Sequence, residues 1–286
     1  MTIARLDTAA SVAATTQTFS VSAGSDRMLV AGFGHEVSGQ ITVTGVDYGG
    51  QAMVQAVEQD TPDTGFSYGN SIWYLLEAGI AAASGSVITP TYSATPDDQM
   101  IHAISYENVE QAGGSSTNPA TNGAESNEGT PNPLISDITE TDEGCVVAIR
   151  GTGNATTHTW QSDLTEQTDQ LDASSGSSLA DRLSTTSGNV NVEGTAASQN
   201  RGAQAVATFA PSTGVTYEQE GFRWRNDDGS ESAATWRQAQ DVDDTIAKET
   251  NIRLRVLSDA TGNPDTDTAT IQYKLDTDPT AEFRDV

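Results

Sequence analysis

Cysteine is nearly absent from this chain. Cys145 is the only one in 286 residues, so no intrachain disulfide can form and the fold is not a disulfide scaffold. It lies in the apolar run Cys145-Val146-Val147-Ala148-Ile149, where a thiol is expected to be buried and inert. Lysine is almost as scarce. Lys248 and Lys274 are the only two, and with eleven arginines they face 40 acidic side chains, for a formal net charge of −27. A surface this acidic repels phosphate backbones, which argues against a nucleic-acid partner. It keeps the chain soluble, and salt would screen its self-repulsion. That is the composition of a halophilic adaptation or, more plainly, of an acidic extracellular or particle-surface protein. Long apolar runs are also missing. Nothing approaches the roughly eighteen residues of a membrane-spanning helix, so no membrane insertion is expected. The first residues show no basic stretch followed by an apolar core, hence no secretion leader; a virion component released by lysis would need none.

The usual marks of catalysis are missing too. His35, His102 and His158 are far apart, with no His-x-His pair and no HExxH, so they read as structural rather than as ligands. There is no Gly-x-Ser-x-Gly elbow, and Gly49-Gly50 and Gly113-Gly114 lack the lysine and helix of a phosphate loop. No pair of carboxylates stands out as a glycosidase dyad. The expectation is a non-enzymatic protein without an organic cofactor. Acidic turns offer hard oxygen ligands, and Asp97, Asp98, Asp227 and Asp228 are weak calcium candidates. None has the spacing of a helix–loop–helix calcium site, and solvated acidic loops are the plainer reading. Asn154-Ala155-Thr156 is a formal glycosylation acceptor, relevant only to a glycosylated, secreted chain.

What is present is a succession of short apolar strands punctuated by turns. Residues 27–33, 40–44, 71–76, 86–92 and 100–106 read as strands, with Pro90 marking an edge or a bulge. Residues 111–133 are rich in Gly, Ser, Thr, Asn and Pro and read as a long surface crossover. Two echoes span it. Asp142-Glu143-Gly144-Cys145-Val146-Val147 repeats the turn-then-strand pattern of Ser25-Asp26-Arg27-Met28-Leu29-Val30, and residues 203–209 echo residues 100–106. These hint at two related halves. The leucines between 163 and 188 are spaced partly at helical intervals, so a short helical turn at residues 178–183 is the one place for helix. The fold class expected is all-β: a jelly-roll-like β-sandwich over residues 1–212, followed by a small second β-sandwich over residues 213–286.

In the second domain, Phe222-Arg223-Trp224-Arg225 alternates aromatic and arginine. One strand face can bury the rings while Arg223 and Arg225 meet water or acids. Phe222, Trp224, Trp236, Leu254, Ile271 and Tyr273 are its expected core. In the first domain Trp73 and Tyr74 point to opposite sides of one strand, so one of them is expected to face solvent or a neighbouring subunit. Trp160 is a further exposed-aromatic candidate. Trp73, Tyr74, Trp160, Arg223 and Arg225 are thus the candidate interaction residues.

The strand Asp26-Arg27-Met28-Leu29-Val30-Ala31-Gly32, the hairpin Val46-Asp47-Tyr48-Gly49-Gly50-Gln51-Ala52-Met53, Ile72-Trp73-Tyr74-Leu75 and Ala103-Ile104-Ser105-Tyr106-Glu107-Asn108-Val109 resemble a bacterial and phage extracellular β-sandwich module. The string from Tyr217 through Gly221-Phe222-Arg223-Trp224-Arg225-Asn226-Asp227-Asp228-Gly229 to Trp236 resembles a small β module of phage structural and surface proteins. The resemblance implies a virion structural protein on the outer surface, a head decoration or tail component. Its partners would be copies of itself and other virion proteins. A carbohydrate-binding or adhesive cell-surface module, with surface glycans as partners, is the alternative.

Overall fold

The computed structural model describes residues 1–62, 65–111, 119–126, 131–161, 163–212, 216–228, 233, 235–247, 249–261, 272–273 and 284–285. The chain forms two compact units, Met1–Ser212 and Thr213–Val286. The strands of the first unit begin with β1 (Ala4–Val12), β2 (Gln17–Thr18), β3 (Met28–Ser38), β4 (Val43–Tyr48), β5 (Gln51–Ala52), β6 (Val54–Asp60) and β7 (Phe66–Leu76). A short helix α1 (Glu77–Ala82) leads to β8 (Val87–Tyr92) and β9 (Asp98–Glu107). The second half holds β10 (Ala120–Ser126), β11 (Leu134–Glu140), β12 (Cys145–Thr152), β13 (His158–Trp160), β14 (Thr165–Leu171), β15 (Gly176–Leu183), β16 (Gly188–Ala196) and β17 (Gly202–Phe209). The protein is predominantly β, in several antiparallel sheets.

Four sheets make up the first unit, and their shared cores fix the stacking order. An outer sheet (β2-β8-β4-β5) and an inner one (β1-β9-β3-β7-β6) bury Leu29, Phe33, Val46, Tyr48, Trp73, Ile88 and Ile101 between them. The inner sheet's other face meets a second inner sheet (β10-β17-β12-β15-β14) across Met28, Val30, Ile72, Ile104, Val147, Ile149, Leu179 and Phe209. That sheet packs in turn on a second outer sheet (β11-β16-β13) through Ile138, Val146, Ala148, Val192 and Val206. Central strands are therefore covered on both faces. β12 and β17 are buried at every position, which is why residues 145–149 read as an unbroken apolar run rather than an alternating one.

The two halves repeat one topology. Counting strands from the start of each half and leaving out the two-residue β5, which has no counterpart, β1-β9-β3-β7-β6 and β10-β17-β12-β15-β14 visit equivalent strands in the same order, as do β2-β8-β4 and β11-β16-β13. The central registers coincide as well. Met28 pairs with Leu76 and Tyr106, and Cys145 pairs with Leu183 and Phe209. Two residues before each of these positions, Asp26 (φ 50°) and Glu143 (φ 60°) adopt the left-handed conformation. The contacts across the halves are reciprocal. Val109 N–H donates to Asp26 O at 3.0 Å, and Ile3 N–H donates to Glu143 O at 2.9 Å. That reciprocity is the signature of a two-fold arrangement, here within one chain.

Three expectations are corrected. The polar stretch 111–133 is not all crossover: it contains β10, an edge strand whose polar sequence reflects its position on the rim. Residues 178–183 are strand rather than helix, because β15 is paired on both sides, by β12 and β14. The first unit has four layers rather than the two of a single sandwich. Pro90 lies in β8 opposite Val46, and beyond Val87 and Ile88 the flanking β2 makes no pair. The missing N–H of Pro90 therefore falls on a free edge.

In the second unit β18 (Thr216–Asn226) pairs with β19 (Ile252–Thr261), with a bulge between Gln219 and Gly221. A further pair joins β20 (Gln272–Tyr273) and β21 (Arg284–Asp285). Residues 235–241 run alongside β18 without forming a regular strand, held by Asn226 N→Thr235 O, Arg237 N→Trp224 O and Asp241 N→Phe222 O at 2.9–3.0 Å. Of the core expected there, Phe222 and Trp224 are half-buried and meet edge to face at 6.2 Å. Trp236 and Leu254 are exposed instead. Ile271 and the side chain of Tyr273 lie outside the described residues.

Candidate functional site

The alternation of β18 sends Phe222 and Trp224 to one side and Arg223 and Arg225 to the other. The arginines do not reach for water. Both guanidinium groups lie over the ring of Trp236, Arg223 at 4.3 Å and Arg225 at 4.9 Å from its centroid. Arg225 is only 4% exposed and pairs through its backbone with Trp236, which is 38% exposed. Such a clasp holds an indole rigid at the surface through cation–π attraction. Arg223 is further fixed by a bond from Nε to Gln238 O at 2.9 Å. Beside it is a cleft of about 290 Å³ lined by Phe222, Arg223, Trp236, Arg255, Val256 and Leu257. Val256 and Leu257 are exposed apolar residues. A rigid aromatic anchor flanked by arginine and aliphatic side chains is the composition of a recognition hot spot.

Of the other interaction candidates, Trp73 is buried and Tyr74 and Trp160 are half-buried. Trp73 is 6% exposed in the core between the first outer and inner sheets, while Tyr74 packs on the opposite core with its ring edge-on to Phe209 at 5.4 Å. Neither is fully exposed, because the inner sheet is covered on both sides, and Tyr74 is half-buried. Trp160 is half-buried against the second outer core and donates to Ser178 Oγ at 2.8 Å.

The calcium candidates do not converge, and each has protein partners. Asp97 accepts from Ser38 N–H at 2.9 Å, and Asp98 from Ser174 N–H at 3.1 Å and Ser174 Oγ at 2.5 Å. Asp227 pairs with Arg253 at 2.7 Å. Asp228 takes the Thr235 hydroxyl at 2.6 Å, and that bond holds its carboxyl below the usual range.

All three histidines are buried. His102 sits between Thr168 Oγ1 (2.7 Å) and Ser177 Oγ (2.6 Å), and burial pulls its pKa down to about 3. His158 contacts Asp169 Oδ1 at 3.1 Å. His35 meets two carboxylates, Glu58 and Asp60, of which only Asp60 stood among the acidic-turn candidates in the sequence. Its Nε2 lies 3.8 Å from Asp60 Oδ1, and the ligating atoms of His35, Glu58 and Asp60 all fall within 4.8 Å of one another. Burial pushes Asp60 up to about 7, aided by the charge of Glu58, and pulls His35 down to about 4. The available signal was Glu58-x-Asp60, which puts two acids on one face of a strand.

No protein-family model, curated protein or solved structure matches this chain.

Proposed function

We propose that this chain is a non-enzymatic building block of a virus particle, facing outward as a head decoration or tail component and acting through protein–protein assembly. The observation that carries the reading is the surface indole of Trp236, clasped by Arg223 and Arg225 beside an apolar cleft. Tryptophan and arginine together dominate the binding energy of protein interfaces. The strand orders add support. We read the paired inner and outer sheets of each half as a jelly-roll-like sandwich, two in tandem in the first unit, and the second unit as a small β-sandwich. Jelly rolls recur in virus capsids and in lectins, a fold-level analogy that fits the assembly role. The charge of −27 suits an exterior position, since packaged nucleic acid would repel it from an inner lining. The glycan-binding alternative needs an exposed aromatic platform, and Trp73 and Trp160 do not supply one.

Sedimentation velocity of the full chain over a concentration series tests the surface. Self-association that Trp236→Ala weakens at least tenfold is the expected result. A chain that stays monomeric and instead binds glycans through Trp236 would replace assembly with adhesion.

A further inference from the structure

We propose that His35, Glu58 and Asp60 form a binding site for one divalent transition-metal ion of the zinc class. The site is built by register. His35 on β3 and Asp60 on β6 are both cross-strand partners of Gly69 on β7, so the three lie in a row across adjacent strands. A Cβ at Gly69 would stand 2.0 Å from Asp60 Oδ1 and 2.5 Å from His35 Nε2. Only glycine leaves room there for imidazole and carboxylate to meet over the strand. Glu58, two residues before Asp60, shares its face, and its carboxylate is aimed by Val43 N–H at 2.9 Å and Gln55 Nε2 at 2.8 Å. Such outer hydrogen bonds are what orient metal ligands.

The cluster has unmet valence. His35 is 1% exposed; its Nε2 faces Asp60 and also lies 3.3 Å from Ile41 O, a contact that a metal on Nε2 would replace, and neither its Nδ1 nor the buried Asp60 Oδ1 has a hydrogen-bond partner. Among the described residues no arginine or lysine pairs with Glu58 or Asp60. Two carboxylates beside one imidazole, without a cation, is a costly arrangement in a protein interior; a dication satisfies all three at once. Two ligands on a tetrahedral zinc stand about 3.4 Å apart at ordinary bond lengths; the 3.8 Å from Nε2 to Oδ1 closes with a few tenths of an ångström of movement, while the full trio, spread within 4.8 Å, closes only with a larger side-chain adjustment. One nitrogen and two carboxylates favour zinc and its neighbours over calcium, which prefers oxygen alone.

The second half of the unit is an internal control. Its equivalent row is Thr152, Gly176 and Leu171, in the same register. The glycine is kept, while threonine and leucine replace the histidine and aspartate. The position equivalent to Glu58 is Asp169, whose carboxylate is engaged by His158. The fold therefore forms without the trio, and the trio is not there to satisfy the architecture.

The test is calorimetric titration of zinc chloride into the chelator-treated full chain at neutral pH, in enough salt to screen the acidic surface. One zinc per chain is expected, with affinity falling at least tenfold in Glu58→Gln and again in Asp60→Asn, and a thermal midpoint that zinc raises only in the parent. The double variant His35→Thr with Asp60→Leu copies the second half, so it should keep the parent's circular dichroism and lose the site. An unaltered affinity in Glu58→Gln and Asp60→Asn, no uptake by the parent at 100-fold excess zinc, or tighter binding of calcium than of zinc would overturn the proposal.

Discussion

At the scale of single residues, the burial of polar groups between the two inner sheets sets both stability and its pH dependence. Asp181 is fully buried and holds Arg5 in a two-pronged contact of 2.6 and 2.8 Å, with Tyr106 Oη donating at 3.0 Å and Gln167 Nε2 at 2.8 Å. Arg5 belongs to the first half and Asp181 to the second, so this contact pins the halves together. Asp181→Ala should cost about 3 kcal/mol, the lower end for breaking a buried pair because Arg5 stays partly in water. Chemical denaturation measures it, and a loss below about 1 kcal/mol would show that the pair is dispensable. His102 makes the pH argument. Its pKa is about 3 in the folded chain against 6.5 in the unfolded one, so below 6.5 the unfolded chain takes up the proton first. The stability tied to the neutral ring is complete above pH 6.5 and is lost progressively as pH falls towards 3. In His102→Gln the fall in stability over that window should be visibly shallower. An unchanged pH slope would mean that the ring stays solvated.

At the scale of elements, much of the strand pattern was legible and the pairing was not. The turn-then-strand echo of Met28 and Cys145 was visible in sequence because both positions open a central strand that is buried almost throughout. The two turns share a left-handed residue at Asp26 and Glu143. β10 escaped notice because an edge strand buries little and keeps no apolar period. β15 was ambiguous because Leu179 and Leu183 are four apart, a helical interval, while Ser177 and Ser178 just before them are small residues that let two sheets approach. Helix α1 is six residues long, too short for a periodic signal. The Trp236 clasp could not be read from the Arg-x-Arg pattern, since alternation says which side the arginines take and nothing about what waits there. The trio at Gly69 needed cross-strand register, which no single segment encodes. Close approach of the inner sheets gives a direct check at Gly151, where a Cβ would lie 2.2 Å from Tyr68 Oη and 2.5 Å from its ring. Tyr68 is fully buried and donates to Gly176 O at 3.0 Å, so it has nowhere to move. Gly151→Ala should therefore destabilise by roughly 1–3 kcal/mol, measured as a lowered thermal midpoint. A midpoint within a degree of the parent would mean that the sheets are more loosely packed than described.

At the scale of the whole molecule, the first unit is one topology used twice, its copies packed back to back through reciprocal contacts, and the second carries the exposed indole of Trp236 beneath Arg223 and Arg225. The net charge of −27 fits the outward-facing place proposed for the chain. The central claim is that the chain is a component of a virus particle, and quantitative mass spectrometry of density-purified particles from the source culture tests it most directly. The account predicts that the chain co-purifies with the major capsid protein, in hundreds of copies for a head decoration or in a few to a few dozen for a tail component. Complete absence from particles, with recovery in the cell envelope or the medium instead, would contradict it.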